Sequence, residues 1–328
     1  MASQSKYPVA LPPDTILAGQ YIVEEVLGQG GFGITYRVRD YRTKMPFAVK
    51  EFFPEGFAFR NSGRFVLPYS GDRKEIFEYS KKSFLEEAKT LAKFIGYNGI
   101  VRIYSYFEEN GTAYFVMDYI HGQNFDRYIR KHGNRISVED ALKKILPVLD
   151  TLGIVHNQGL IHRDISPDNI YIRNDGAVIL LDFGAARYSF GRKSRMLDVI
   201  LKPGYAPKEQ YSRSGKLGPY TDIYSLAATF YRAITGSVPQ ESLERLEDDR
   251  LFPPHYLGIE ISPTKENALM RALSIQPQDR FQSVSDFKAA LLQDEFPGST
   301  YHSFDPNRIN EGMPTQYPDY EITTQYIN

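Results

Sequence analysis

Residues 162–169 read His162-Arg163-Asp164-Ile165-Ser166-Pro167-Asp168-Asn169, and thirteen residues after Asn169 the chain reads Asp182-Phe183-Gly184. The apolar run between them, Ala177 to Leu181, has a strand's length and is far too short to span a bilayer. Well upstream, Gly28-Gln29-Gly30-Gly31-Phe32-Gly33 matches G-x-G-x-x-G. A dinucleotide-binding fingerprint needs a helix after its glycines. Here Ile34-Thr35-Tyr36-Arg37-Val38 follows, β-branched and aromatic, so the glycines form a hairpin between two strands. Such a hairpin can lay backbone N–H groups on phosphates without side-chain obstruction. Phe32 stands at its tip, placed to cap the site against water.

The second strand run, Ile34 to Arg39, leads through a polar turn to Phe47-Ala48-Val49-Lys50. A lysine ending an apolar run is ordinarily just solvated. Downstream, however, Phe84, Ala88, Leu91 and Ile95 recur at spacings of four, three and four, an amphipathic helical stripe. Glu87 lies three residues from Phe84 and four from Leu91, on or beside that stripe. A carboxylate there is costly unless paired, whereas Glu86 is turned about 100° away and can be solvated. Lys50 is the natural partner of Glu87, which leaves its ammonium poised against phosphate oxygens.

The ordered set of glycine loop, A-V-K lysine, H-R-D-x-x-x-x-N and D-F-G resembles the eukaryotic-type protein kinase family over residues 21–293. The wording LGQGGFGITY, AVKEFFPEG, HRDISPDNIY and KPGYAPKEQY is especially similar to bacterial serine/threonine kinases. The resemblance implies an α+β, bilobal protein-kinase fold. A small antiparallel sheet with one helix spans 21–117, a hinge 118–122, and a larger, mainly helical lobe 123–295. It implies ATP and Mg²⁺, with Mn²⁺ as an alternative, and protein substrates. By the same match Asp164 accepts or orients the substrate hydroxyl's proton, and Asn169 and Asp182 hold the metal. Lys50, fixed by Glu87, grips the α- and β-phosphates under the loop Gly28, Gln29, Gly30, Gly31, Phe32 and Gly33. Thr35 and Ala48 line the adenine roof, Tyr171 its floor, and Met117 gates the back of the pocket. Asp118 to Ile120 form the hinge whose backbone hydrogen-bonds adenine. The family usually has valine at the Thr35 position and a smaller aliphatic residue at the Tyr171 position. Glu209 of Ala206-Pro207-Lys208-Glu209 is expected to pair with Arg280, and Asp222 to bind back to the catalytic loop. The chemistry agrees independently. Two oxygen ligands on a short loop suit Mg²⁺, a hard ion, and phosphoryl transfer needs its charges positioned and neutralised.

Two departures fall at the centre of this pattern. The commonest serine/threonine loop has a lysine, which touches the γ-phosphate, where Ser166 stands here. Before Gly204-Tyr205-Ala206-Pro207 the family usually has a threonine facing the catalytic aspartate; here it is Lys202. The two residue types look exchanged. Lys202 is therefore expected to supply the missing ammonium and Ser166 the hydroxyl contact, against the plainer alternative of a neutral serine and a solvated lysine. Phosphorylation of the segment 185–201, with Tyr188, Ser189 and Ser194 near several basic residues, is a further expectation through Arg163.

The rest of the chain is consistent with one kinase domain. Residues 1–20 are Pro-rich and read as an extended lead-in. Residues 51–80, aromatic-rich and interrupted by Pro54, Gly56, Pro68 and Gly71, are too broken for one regular element, and either serve a partner or pack on the small lobe. Two β-rich runs flank Glu109-Asn110-Gly111. Ser137-Val138-Glu139-Asp140 resembles a capping box opening a helix to about His156, with Pro147 inside. Asp222 to Ile234 is apolar on nearly every side and stops before Gly236, which describes a buried helix. Ser283 to Leu292 is a last helix, and 296–328 a flexible polar tail. Its repeated Thr-Gln-Tyr, at 315–317 and 324–326, suggests autophosphorylation sites for a phosphothreonine-reading partner, or simply a polar tail. Of 328 residues 42% are hydrophobic and 24% charged, with a formal net charge of -1 and no cysteine. Thiolate metal sites, disulfides and a cysteine nucleophile are excluded. No global basic field recruits nucleic acid or membrane. The N-terminus has no signal-peptide pattern, and a cytoplasmic location is expected. Two alternatives to an active protein kinase remain: a nucleotide-binding pseudokinase scaffold, and a small-molecule kinase.

Overall fold

A computed structural model describes residues 7–62, 64–181, 201–212, 214–294 and 300–301, together with the backbone of Arg187–Tyr188. The chain divides into two compact units. Among the described residues no helix is long and apolar enough to cross a membrane. The expected phosphorylation segment, apart from that short backbone stretch and Leu201, lies outside the described residues, as do the Thr-Gln-Tyr repeats.

The first unit holds residues up to 97 and 101–121. Its strands are β1 (Ile16–Leu17), β2 (Tyr21–Gly30), β3 (Gly33–Asp40), β4 (Pro46–Phe52), β5 (Ala58–Arg60) and β6 (Val66–Pro68). Helix α1 (Asp72–Leu91) follows, then β7 (Ile103–Glu109) and β8 (Thr112–Asp118). Six strands form one antiparallel sheet in the order β1-β2-β3-β4-β8-β7. Strand alternation divides its residues cleanly. Ala48, Lys50 and Phe52 point to one face, and Val49 and Glu51 to the other. On the first face Phe52 meets Phe77 and Phe84 of α1 at ring separations of 5.3 and 5.6 Å, and Phe84 meets Phe115 at 4.9 Å.

Three local expectations need correction. Helix α1 begins at Asp72, inside the stretch read as irregular, and buries Phe77, Ser80, Phe84, Ala88 and Leu91. Its stripe does not extend to Ile95, which is 59% exposed. The chain tightens into a 3₁₀ turn at Ala92–Phe94, so that Phe94 turns inward instead. The lead-in is not merely extended either: Ile16–Leu17 adds the edge strand β1, and Leu11 and Leu17 are buried. As for the insert, its hairpin β5–β6 buries Ala58 and Val66, and the Val66 amide donates to the Asn110 carbonyl at 2.8 Å. It packs on the sheet.

The second unit comprises 98–100 and the described residues from 122 onward. It contains β9 (Gly122–Asn124), α2 (Phe125–Lys131), α3 (Val138–Asn157), β10 (Leu160–Ile161), β11 (Ile170–Arg173), β12 (Val178–Leu180), β13 (Arg187–Tyr188), α4 (Lys208–Tyr211), α5 (Pro219–Thr235), α6 (Glu244–Glu247), α7 (Pro263–Ala272) and α8 (Val284–Leu292). Ser137 caps α3 by accepting the Asp140 amide at 3.1 Å, and Pro147 lies inside the helix. Helix α5 is buried from Thr221 through Ile234 and ends at Gly236, whose φ of 83° is left-handed and suits glycine.

Glu209 and Arg280 meet as expected. Nη1 donates to Oε1 at 2.7 Å and Nη2 to Oε2 at 3.2 Å. The carbonyls of Ser274, Ile275 and Tyr220 take further guanidinium donors. Both side chains are almost fully buried, so removing one leaves the other charge uncompensated. Arg280→Met should lower the unfolding free energy in urea melts by about 3–5 kcal/mol. A loss below about 1 kcal/mol would show the pair to be dispensable.

Candidate active site

The catalytic loop of the second unit is organised by one buried carboxylate. Asp222 stands in the first turn of α5, where the helix dipole favours negative charge. Its Oδ2 accepts the His162 amide at 2.8 Å and lies 2.7 Å from His156 Nε2, while Oδ1 accepts the Arg163 amide at 2.8 Å. This is the expected link back to the loop. Burial works to raise the Asp222 pKa, but the hydrogen bond and charge of His156, helped by the Arg163 amide, hold the carboxyl below the usual aspartate range. The anchoring has a visible consequence. Arg163 takes a φ of 71°, a conformation that strains a non-glycine residue. It is held from both sides, its amide by Asp222 and its carbonyl by Gln210 Nε2 at 2.7 Å.

Asp164 follows directly and is partly exposed. Asn169 Nδ2 donates to its backbone carbonyl at 2.7 Å and to its Oδ2 at 2.9 Å. With the amide nitrogen so engaged, Asn169 presents its Oδ1, a hard oxygen donor, for a cation. Asp182, the other expected metal ligand, lies outside the described residues. Ser166 is fully buried. Lys202 Nζ donates to its Oγ at 2.7 Å and stands 3.7 Å from Asp164 Oδ1 and 3.6 Å from Asp168 Oδ2. The amides of Tyr205 and Ala206 both donate to the Lys202 carbonyl, at 3.1 and 3.0 Å. Gly204 within this turn has a φ of 78°, and a Cβ there would lie 2.4 Å from the Pro239 carbonyl oxygen. The turn thus requires glycine and fixes where Lys202 starts. Tyr171, the expected adenine floor, sits in β11 opposite Asn124 and Ile179, with its hydroxyl donating to the Gly122 carbonyl at 3.1 Å.

In the first unit the glycines form the expected hairpin. Gly28 pairs with Thr35, Gln29 with Ile34 and Gly30 with Gly33, leaving Gly31-Phe32 as the turn. The Phe53 and Glu55 amides donate to the Phe32 and Gly31 carbonyls at 3.0 and 2.9 Å, so the tip is held by the chain that follows β4. Thr35 lies opposite Lys50, and Ala48 opposite Met117, so all four share one sheet face. Helix α1 packs on that face through Phe84, and Glu87 follows three residues later. Asp118 ends β8 and its Oδ1 accepts the Tyr104 hydroxyl at 2.7 Å. Ile120, two residues on, is partly exposed.

Sequence reasoning missed several supports. His156 braces Asp222 from 66 residues away in sequence, and Gln210 braces Arg163 from 47. Glu51 was passed over although it follows Lys50 and is 0% exposed. Its place in an alternating strand, followed by Phe52 and Phe53, was the available signal.

Two predictions follow from this geometry. A Cβ at Gly33 would stand 2.3 Å from the Glu51 carbonyl oxygen, whereas one at Gly28 meets nothing within 4 Å. Gly33→Ala should destabilise the protein by about 1–3 kcal/mol through overpacking, and Gly28→Ala by no more than about 1 kcal/mol. Equal losses in parallel urea melts would contradict this. The second concerns pH. A carboxyl whose folded pKa is depressed stabilises fully above the unfolded aspartate value of 3.8, and the stabilisation is lost as pH falls through the lower folded value. Wild-type stability should therefore fall more steeply than that of Asp222→Asn as pH drops from 3.8 to the lower folded value, measured by melts across the acid range.

Comparisons with known proteins agree with this geometry. The protein kinase domain family matches residues 21–281. Serine/threonine-protein kinase PknA of Nostoc sp. is 32% identical over 292 residues, covering 85% of this chain and 48% of that protein. Serine/threonine-protein kinase C of Synechocystis sp. is 32% identical over 299 residues, covering 87% of this chain and 51% of that protein. The chain thus spans about half the length of these curated relatives. The solved structure of PpkA-294 in its apo form superposes with a TM-score of 0.74 at 32% identity, covering 86% of this chain and 99% of that one. With its glycine hairpin, its Asp222-anchored catalytic loop and its Glu209–Arg280 pair, the chain belongs to the protein kinase family.

Proposed function

We propose that this chain is an active serine/threonine protein kinase whose γ-phosphate lysine is Lys202, supplied by the segment before Gly204 rather than by the catalytic loop. The observation that carries the reading is the Lys202 ammonium 2.7 Å from Ser166 Oγ and 3.7 Å from Asp164 Oδ1. Position 166 is where the family usually keeps its lysine. The charge has returned to that spot from 36 residues away in sequence.

Each residue then has a task. Asp164, oriented by Asn169, takes the proton from the substrate hydroxyl as its oxygen bonds to the γ-phosphorus of ATP. The bond from that phosphorus to the β–γ bridging oxygen breaks, and ADP leaves with the electron pair. Lys202 stabilises charge on the phosphoryl oxygens during transfer, in the manner of a preorganised cation. Asn169 Oδ1, with Asp182, would hold Mg²⁺, which neutralises phosphate charge when bound. Lys50 would grip the α- and β-phosphates. Gly28 and Gly30 support the phosphate-loop reading, because a Cβ at either meets no neighbour closer than 4.0 Å and neither has a positive φ. Packing and backbone conformation do not demand glycine at these two positions, whereas close approach of a phosphate to the backbone does. Proteins are the substrate class.

The assay is purified protein with Mg²⁺ and labelled ATP, with and without a generic protein substrate. Wild type should label itself or the added protein, and Asp164→Asn should not. No transfer at all would favour a nucleotide-binding scaffold, and transfer only to small metabolites a small-molecule kinase. Lys202→Ala should reduce kcat by roughly 10²–10³-fold, and Ser166→Lys/Lys202→Thr should recover much of that loss. Wild-type turnover in a folded Lys202→Ala enzyme would remove Lys202 from the mechanism.

A further inference from the structure

Glu51 is a fully buried carboxylate beside the phosphate-gripping lysine. Burying a charge is costly unless it is paired and hydrogen-bonded, and Glu51 is served from three separate strands. The Tyr36 hydroxyl of β3 donates to Oε2 at 2.7 Å and the Tyr114 hydroxyl of β8 to Oε1 at 2.6 Å. Arg60 of β5 donates from Nη2 to Oε2 at 2.6 Å, and its side chain is only 7% exposed. Burial alone would lower the Arg60 pKa, but the Glu51 carboxylate outweighs it and holds the guanidinium charged. Burial, reinforced by the same carboxylate, pushes both tyrosines well above the ordinary phenol range, so they stay protonated donors.

The network also reaches the N-terminal segment. Arg60 Nε donates to the Val9 carbonyl, and the Leu11 amide donates to the Tyr36 hydroxyl at 3.0 Å. The main chain around Glu51 is no freer. Its carbonyl leaves Gly33 no room for a Cβ, and the residues just beyond β4 hold the glycine-loop tip through the Phe53 and Glu55 amides.

We infer that Glu51 is a positioning residue for nucleotide binding. Its carboxylate, clamped by Tyr36, Tyr114 and Arg60 on one face of β4, fixes the strand register that sets Lys50 on the opposite face and holds the glycine-loop tip. The insert and the N-terminal segment are, on this account, parts of the clamp. A lysine has a flexible four-carbon stem, so only its backbone origin can be preset. Misplacement of a binding group by about 1 Å can cost 10²-fold in rate. The inference rests on the reading of Lys50 as the phosphate ligand.

The test compares Tyr114→Phe, Glu51→Gln and Glu51→Met/Arg60→Met in the full chain. The double variant removes both buried charges and keeps the volume filled, so it folds even where a single variant does not. Three readouts are taken: urea melts, steady-state kinetics against ATP, and binding of a non-hydrolysable ATP analogue. We expect the double variant to stay folded, with urea melts only moderately lowered because the Tyr36 and Tyr114 hydroxyls lose their acceptor, and to lose roughly 10–100-fold in kcat/KM for ATP. Analogue affinity should fall in parallel, with KM for the protein substrate unchanged. Tyr114→Phe should move the same way by a smaller factor. A double variant with wild-type ATP kinetics and analogue affinity would overturn the inference and leave the network a packing device. Failure of the underlying reading is separate: wild type would then bind the analogue no more tightly than Lys50→Ala does.

Discussion

The first unit depends on the pleat of one strand. In β4 successive side chains alternate faces, so Lys50 and Glu51 cannot point the same way. The face that carries Lys50 also carries Thr35, Ala48 and Met117 and receives α1 through Phe84. The face that carries Glu51 is closed by Tyr36, Tyr114 and the hairpin with Arg60. On the roles proposed for Lys50 and Glu51, one face serves chemistry and the other fixes the strand. A register slip of one residue would exchange them, burying an ammonium and exposing a carboxylate. The buried ion cluster therefore bears on specificity of register more than on net stability, since a buried pair by itself often contributes little.

The second unit solves a related problem with a different carboxylate. The catalytic loop must hold Arg163 at positive φ, which costs of the order of 1–3 kcal/mol. Asp222 offsets that cost by accepting two successive amides and a histidine at the dipole-favoured start of a helix buried on nearly every side. The arrangement is rigid because α5 cannot shift without disturbing the core around it. Asp164 inherits that rigidity through one peptide bond, and Asn169 fixes its carboxylate orientation. Glu209 and Arg280 do the same for the segment carrying Lys202, whose next turn also leans on Pro239 at Gly204.

Much of this was legible in the sequence because it is local. Fixed spacings marked the glycine hairpin and the catalytic loop, and Ser137 and Gly236 marked helix ends by residue chemistry that acts within a turn; the pair Glu209 and Arg280, 71 residues apart, came only from the family resemblance. What escaped is what distance in sequence hides. The insert read as irregular because the first part of α1 follows two short strands broken by Pro68 and Gly71, and nothing local says that Arg60 will meet Glu51. Ile95 fitted a helical period, but a period cannot report that the helix tightens three residues earlier. Glu51 resembled any charged residue after a strand until the opposite tyrosines came into view. Lys202 is the intermediate case. Two unusual residues signalled an exchange, but only the fold brought them within 2.7 Å.

That exchange has a physical logic independent of chain order. Phosphoryl transfer asks for a cation at a point in space near the attacking oxygen, and Coulomb's law takes no account of which segment delivers it. Among the described residues, the Lys202 ammonium stands there between the carboxylates of Asp164 and Asp168. A second lysine at position 166 would crowd two like charges into the same few ångströms, so a hydroxyl there is what a lysine at 202 allows. Ser166 is small enough to be fully buried, and its oxygen still accepts from the ammonium. The two positions therefore constrain each other: given either residue, electrostatics and volume narrow the choice for the other. On the role proposed for Lys202, what matters at the site is the cation's place in space, and the segment that delivers it does not.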